Sequence, residues 1–114
     1  MLINEGTPHK LAIAWHDAVP VGLVAIGRFV SVSDPRPRKW HQFELKELFV
    51  VREKRNQGIG EALMDWVIAE AISQGVCRID WHVKRDNIRG IKFYERFDGK
   101  IVENRLSMRK VLLD

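Results

Sequence analysis

The sequence is short of most devices that would announce a function outright. It has one cysteine, Cys77, in 114 residues, so no intramolecular disulfide can form and a reducing compartment, the cytoplasm, is the expected setting. No apolar run nears the roughly 18 residues of a membrane span. The opening stretch MLINEGTPHK has no apolar core of the signal-peptide kind. The four histidines and the lone cysteine show no metal-ligand spacing, which argues against zinc, and no metal is expected. Internal repeats, low-complexity tracts and composition shifts are also missing, so residues 1–114 read as a single domain.

What is present is an ordinary globular composition, 46% hydrophobic and 30% charged, long enough to bury a core without staples. The formal net charge is +4 and the pI is about 9.5. That balance suits an anionic partner, whether nucleic acid or a phosphorylated cofactor. The basic residues gather in PRPRK (Pro35 to Lys39), REKR (Arg52 to Arg55) and KRDNIR (Lys84 to Arg89).

KLAIAW (Lys10 to Trp15), the turn HDAVP and VGLVAIGRFVSV (Val21 to Val32) predict a β-hairpin. SDPRPRK, with two prolines, predicts an exposed loop. FELKELFVV (Phe43 to Val51) predicts a strand whose all-apolar end is buried. From Gly58 to Gln74 apolar residues recur every four positions, in Leu63, Val67, Ala71 and in Met64, Ile68, Ile72; Glu61, Asp65, Glu70 and Gln74 supply the wet face. Gly75 ends that helix. CRIDWHV (Cys77 to Val83) alternates as a strand does, with Arg78, Asp80 and His82 on its polar face. NIRGIKFYERF (Asn87 to Phe97) is a second amphipathic helix with the stripe Ile88, Ile91, Tyr94. GKIVENRLSMRKVLL predicts one or two closing strands. The four tryptophans read mostly as core.

The stretch RNQGIGEALM, Arg55 to Met64, stands between the apolar strand end and the first helix. Strand, glycine turn and helix together make an anion site, because the first amides of a helix point outward and its macrodipole favours negative charge. A P-loop is excluded, since Gly60 is followed by Glu61 and Ala62 rather than Lys and Ser or Thr. A dinucleotide fingerprint is excluded as well, since its third glycine would fall on Leu63. Arg-x-x-Gly-x-Gly remains, followed about thirty residues later by Asn87, Gly90, Phe93 and Tyr94 in DNIRGIKFYERF.

With both motifs in this order, the chain resembles the GNAT superfamily of acetyl-CoA-dependent N-acetyltransferases from about Leu11 onward. ELFV, RIDWHV and DNIRGIKFYER look most like its small-amine branch, which acts on polyamines, thialysine and related amines. The resemblance implies an α/β (α+β) fold: a mixed, mainly antiparallel sheet with two main helices, starting near the family's second strand without the usual first strand and first two helices. It also implies acetyl-CoA as co-substrate and a small primary amine as acceptor. Backbone groups of Leu48, Phe49 and Val50 would pair with the pantetheine arm as an added strand. The turn and helix start, Arg55, Asn56, Gln57, Gly58, Ile59, Gly60 and Glu61, would hold the pyrophosphate, with Arg52 and Lys54 nearby. Asn87 would bond the cofactor arm. Tyr94 would lie by the thioester sulfur.

Acetyl transfer needs a deprotonated amine, a polarised carbonyl and a proton for the leaving thiolate. Tyr94 suits the proton donor, and strand amides around Val50 suit polarisation. Glu44 is the candidate base. Glu47, three residues on, faces the other way unless a bulge intervenes. Asp80 and His82 are lesser candidates. The family's small-amine branch has its base where this chain has Lys46, and its usual turn glycine is replaced here by Asp98. Two other classes stay in view. One is a non-catalytic acyl-CoA-binding or regulatory module. The other is a small basic nucleic-acid-binding domain, which accounts for the pI but leaves the spaced glycines and the Asn87–Tyr94 helix unexplained. An uncovered early sheet edge and apolar face further predict a homodimer.

Overall fold

The computed structural model describes residues 9–113; the reading of the opening stretch as free of a signal peptide falls mainly on residues 1–8, outside them. The chain divides into two compact units between His82 and Val83.

The first unit is a sheet with one long helix. Strands β1 (His9–His16), β2 (Val19–Val30), β3 (His41–Val50) and β4 (Ile79–Trp81) lie in the order β1-β2-β3-β4. Neighbours are antiparallel except β3 and β4, which run parallel. A parallel pair needs a crossover, and helix α1 (Ile59–Gln74) is that crossover. The hairpin turn falls on Asp17 and Ala18, both at positive φ (48° and 64°). Two such residues give the turn whose twist matches paired strands.

Register decides which residues share a face. Ala12, Val24, Ile26, Phe43 and Leu45 lie on one face and are buried there with Leu63, Met64, Val67 and Ala71 of α1. Each fully buried aliphatic or aromatic side chain contributes about 1.5–3 kcal/mol. At the rim of this layer Lys10 Nζ lies 2.9 Å from Glu70 Oε2, and Arg28 donates to Gln74 Oε1 at 2.8 Å. Gly22 sets how closely α1 can approach: a Cβ there would stand 3.0 Å from the Phe49 carbonyl oxygen and 3.2 Å from Leu63 Cδ1.

Several expectations change. The apolar end of β3 is not buried: Phe49 is 44% exposed, and the buried residues are Phe43 and Leu45. The cause is that α1 starts beside this end and covers only one face of it. The strand expected over Cys77 to Val83 keeps only Ile79–Trp81, the length over which β3 offers partners. Ile72 is exposed despite its period, because the helix packs through Leu63, Met64, Val67 and Ala71 alone. No tryptophan is fully buried, and Trp15 is exposed. The PRPRK loop is exposed as expected, with a short 3-10 turn at Pro37–Lys39.

The second unit holds α2 (Ile88–Glu95). Asn87 caps it, its side-chain oxygen accepting the Gly90 N–H at 2.9 Å, which satisfies one of the orphan amides of the first turn. Phe93 contacts both Tyr94 and Phe97, with ring centroids 5.3 Å apart in each pair. The helix ends where Asp98 turns left-handed (φ 63°) and Gly99 N–H returns to the Tyr94 carbonyl. Asp is among the few side chains that tolerate this conformation, so it can stand where the resemblance leads one to expect glycine. The closing strands do not form: residues 100–113 lie outside helix and strand, and 100–113 are exposed throughout. A strand needs a neighbour for its backbone groups, and this unit contains no strand among the described residues.

Candidate active site

The site begins at the far end of β3. β4 pairs with β3 only from Phe43↔Ile79 to Leu45↔Trp81. Beyond Leu45, the side of β3 that faces away from β2 has no strand partner among the described residues. Leu48, Phe49 and Val50 therefore present one open backbone edge, while their other edge is paired to Val24, Leu23 and Gly22. An extended chain can add to such an edge.

That open edge runs directly into the glycine turn. After the short turn Arg52–Lys54, Asn56 (φ 62°) and Gly58 (φ 85°) are both left-handed. Gly58 is the N-cap of α1 and supplies no side-chain cap. The first helical bond is from Ala62 N–H to the Gly58 carbonyl at 3.0 Å, so the amides of Ile59 and Gly60 precede the ladder. They lie at the positive end of a helix sixteen residues long. A Cβ built on Gly58 would meet nothing within 4 Å, so the approach to the turn is open. Arg55 is held in place: its Nε donates to the Val50 carbonyl at 3.0 Å, and its guanidinium lies 5.9 Å from the Phe49 ring centre. Gln57 donates to the Glu53 carbonyl at 3.2 Å. Arg52 and Lys54 are basic residues of the same turn.

The candidate bases are brought together by a feature of register. Ile26 pairs with Leu45, but Ala25 pairs with Glu47, so Lys46 is an extra residue in β3. Such a bulge shifts the alternation beyond it by one. Glu47 therefore shares the face of Glu44, opposite α1. Asp80, paired with Glu44 across the parallel ladder, belongs to that face too. Lys46 Nζ lies 3.2 Å from Glu44 Oε1 and 5.4 Å from the Phe29 ring centre. Arg78 Nε lies 3.0 Å from Asp80 Oδ2. Glu47 is exposed and has no ion pair among the described residues. Sequence reasoning named Glu47 but could not see the bulge that brings it to Glu44. Lys46, the residue breaking the apolar alternation between Leu45 and Leu48, was the available signal.

In the second unit Tyr94 is half-buried on α2, and burial pushes its phenol above its ordinary range. Asn87 spends its side-chain oxygen on the helix cap, which leaves its amide NH2 as the donor to offer. His82 is exposed beyond the end of β4.

Residues 2–99 match the acetyltransferase (GNAT) family model. The chain belongs to that family. Over 59 residues, 52% of the chain, it is 30% identical to L-ornithine N5-acetyltransferase NATA1 of Arabidopsis thaliana, and it covers 26% of that protein's length. Among solved structures, an integron cassette protein from the mobile metagenome of V. cholerae superimposes with a TM-score of 0.82. It is 24% identical, with 94% of this chain and 64% of that one covered. A ribosomal-protein-alanine N-acetyltransferase of Brucella melitensis biovar Abortus gives a TM-score of 0.74 at 18% identity, covering 93% and 74%. An aminoglycoside acetyltransferase from an uncultured soil metagenomic sample gives 0.81 at 14% identity, covering 96% and 69%. At these identities the solved structures speak for a GNAT-type fold. Members of the family use acetyl-CoA as co-substrate.

Proposed function

We propose that the chain is an acetyl-CoA-dependent N-acetyltransferase acting on a small primary amine. One observation carries this reading most: a strand edge left open from Leu48 to Val50 that leads straight into a left-handed Gly58 and the bare N-terminus of α1. An extended, hydrogen-bonding arm ending in a diphosphate has the complementary shape and charge. Its amides would pair with Leu48, Phe49 and Val50, and its pyrophosphate would meet the turn Arg55 to Glu61, with Arg52 and Lys54 supplying positive field. Asn87 would donate to the arm.

In the reaction the amine nitrogen attacks the thioester carbonyl carbon. The carbonyl oxygen, gaining charge, takes a hydrogen bond from the Val50 amide. The carbon–sulfur bond then breaks, Tyr94 gives its phenolic proton to the departing thiolate, and the tyrosinate takes back a proton from the acylated nitrogen. Its raised pKa keeps that proton in place at neutral pH. Glu44 accepts the ammonium proton directly or through water. The bulge makes Glu47 a second carboxylate on the same face. The ornithine enzyme of Arabidopsis and the small-amine motifs favour an acceptor with a free aliphatic amino group. We place the enzyme in the cytoplasm and read it as a homodimer.

Calorimetry with acetyl-CoA, followed by thiol release over a panel of diamines, amino acids and aminoglycosides, tests the proposal. Binding with amine-dependent thiol release is the expected result. Binding with no release on any amine would reduce the chain to an acyl-CoA-binding module, and no binding would remove the reading altogether.

A further inference from the structure

The bulge in β3 carries an ammonium group that the acetyl-transfer chemistry leaves unused. Lys46 Nζ lies 3.2 Å from Glu44 Oε1 and 5.4 Å from the Phe29 ring centre. Both partners belong to the face of the sheet opposite α1. The Phe29 ring folds back over Gly27, the cross-strand partner of Glu44. A Cβ on Gly27 would stand 2.7 Å from Phe29 Cε2, so only glycine leaves room for the ring. This face therefore already holds one primary ammonium, with a carboxylate oxygen on one side and an aromatic ring on another. The chain's own lysine fills that place.

The charges of this face can be followed strand by strand. β1 and β2 contain no aspartate or glutamate, and their Lys10 and Arg28 turn to Glu70 and Gln74 on the α1 side. β3 and β4 supply Glu44, Glu47 and Asp80. Lys46 is paired with Glu44, and Arg78 with Asp80. Glu47 is left as the carboxylate without an ion pair among the described residues. Its cross-strand neighbour is Ala25, and Leu23 and Phe49 follow on the same face. Arg55, 5.9 Å from the Phe49 ring centre, is tied to the Val50 carbonyl and belongs to the glycine turn. The surface beside Glu47 thus suits a carbon chain and offers a second ammonium no further unpaired acid.

We infer that Lys46 sets the charge of the acceptor: the amine this chain acetylates is an alkyl monoamine with a single positive charge, and Lys46 turns diamines away. The inference rests on the acetyl-transfer reading above and names its substrate class. An incoming monoamine sets its ammonium beside Glu47 and the second oxygen of Glu44, since an ionised carboxylate accepts through both oxygens. Its carbon chain lies along Ala25, Leu23 and Phe49. A diamine of the same length has to carry its second ammonium onto that apolar surface or toward Lys46. Two like charges at close range near a protein surface cost about a tenfold loss of affinity or more. Lys46 touches no reacting atom in this scheme, so its part is specificity.

The test sets butylamine against putrescine, its diamine counterpart of equal carbon count, by thiol release from acetyl-CoA on the full chain. Wild type should favour butylamine about tenfold in kcat/KM, with the difference in the amine KM. Lys46→Met, which keeps the stem and removes the charge, should bring the two amines within a few-fold of each other. Lys46→Arg, which keeps the charge, should keep the wild-type preference. A merely structural lysine would lower both rates together, so an unchanged ratio in Lys46→Met would overturn the inference. Loss of the preference in Lys46→Arg would do the same, and so would a wild type that prefers putrescine. Transfer to other amines but to neither of these two would remove the acceptor class and leave the acetyltransferase standing. Absence of thiol release with every amine would take down the acetyl-transfer reading, and this inference with it.

Discussion

Gly60→Ala separates a structural glycine from a ligand-binding one, because the two roles predict opposite signs. Gly60 is the second residue of α1 and is not among the glycines at positive φ. Its backbone is helical, so alanine fits without strain. Exchanging glycine for alanine in a helix stabilises it by up to about 1 kcal/mol, less near an end. A gain of that size raises the melting temperature by a few degrees in a domain of this length. If Gly60 served only the turn, the variant would be slightly more stable and otherwise unchanged.

In the proposed site the methyl instead meets the pyrophosphate. Displacing a charged oxygen from one backbone amide loses a hydrogen bond of about 1.5–3 kcal/mol. By the usual conversion of about 1.4 kcal/mol per decade, that weakens CoA binding about tenfold to a hundredfold. The assay is calorimetric titration with CoA beside a thermal melt of the same preparation. The expected outcome is a higher melting temperature with weaker binding. Unchanged affinity in a stabilised protein would refute the placing of the pyrophosphate on the N-terminus of α1. Gly58 is the worse probe. At φ 85° any L-residue there costs about 1–2 kcal/mol, and a β-branched valine would damage the turn itself, so lost binding would not identify a contact.

Tyr94→Phe should lower kcat about a hundredfold or more while leaving the CoA Kd within a few-fold; an unchanged kcat on an accepted amine would leave Tyr94 with packing alone. Burial raises the Tyr94 pKa, so the folded chain holds this proton above pH 10 where the unfolded chain releases it. Tyr94 therefore costs stability only above about pH 10, and Tyr94→Phe should flatten the alkaline decline in a melting series. Lys10 lowers the Glu70 pKa through their hydrogen bond; the stability this provides is complete above the ordinary Glu range and disappears as pH falls below it. Both side chains are partly exposed, so the amount is under about 1 kcal/mol, and Glu70→Gln should flatten the acid limb of the same series by no more than that. Phe43→Ala, at 1% exposure, should cost about 3–5 kcal/mol by denaturant unfolding; a loss under 1 kcal/mol would mean that the β3–α1 layer is not the core.

The parts legible in the sequence were those governed by local rules. The hairpin, the helix from Gly58 and its end at Gly75 follow from β-branched runs, a fourfold apolar period and glycine at left-handed positions. Gly58 and Gly75 do adopt them, at φ 85° and 68°. The helix-capping role of Asn87 is equally local: its side-chain oxygen accepts the Gly90 N–H. What the sequence could not show depends on which neighbour a residue meets. LFV reads as buried because it is apolar, yet one edge and one face of that strand end are left open. GKIVENRLSMRKVLL reads as one or two closing strands, yet a strand exists only where another edge accepts it. In both places the pattern speaks of a residue's preference and is silent about its partner.

The bulge at Lys46 shows why such gaps gather at the candidate site. A regular strand would send Glu44 and Glu47 to opposite faces, because side chains alternate with a period of two. One extra residue between Leu45 and Glu47 brings both carboxylates to the face that α1 leaves uncovered. The same extra residue falls where the β4 ladder stops, just past Leu45↔Trp81. A bulge bends and twists its strand, which is a physical reason for β3 and β4 to part at that point. One insertion thus does two things: it opens the backbone edge of Leu48 to Val50 and gathers acids beside it. No propensity in the ELKEL stretch requires this, since Leu, Lys and Glu sit as well in a regular strand. It is a departure from local regularity at the place where the proposed site would bring acetyl donor and amine acceptor together.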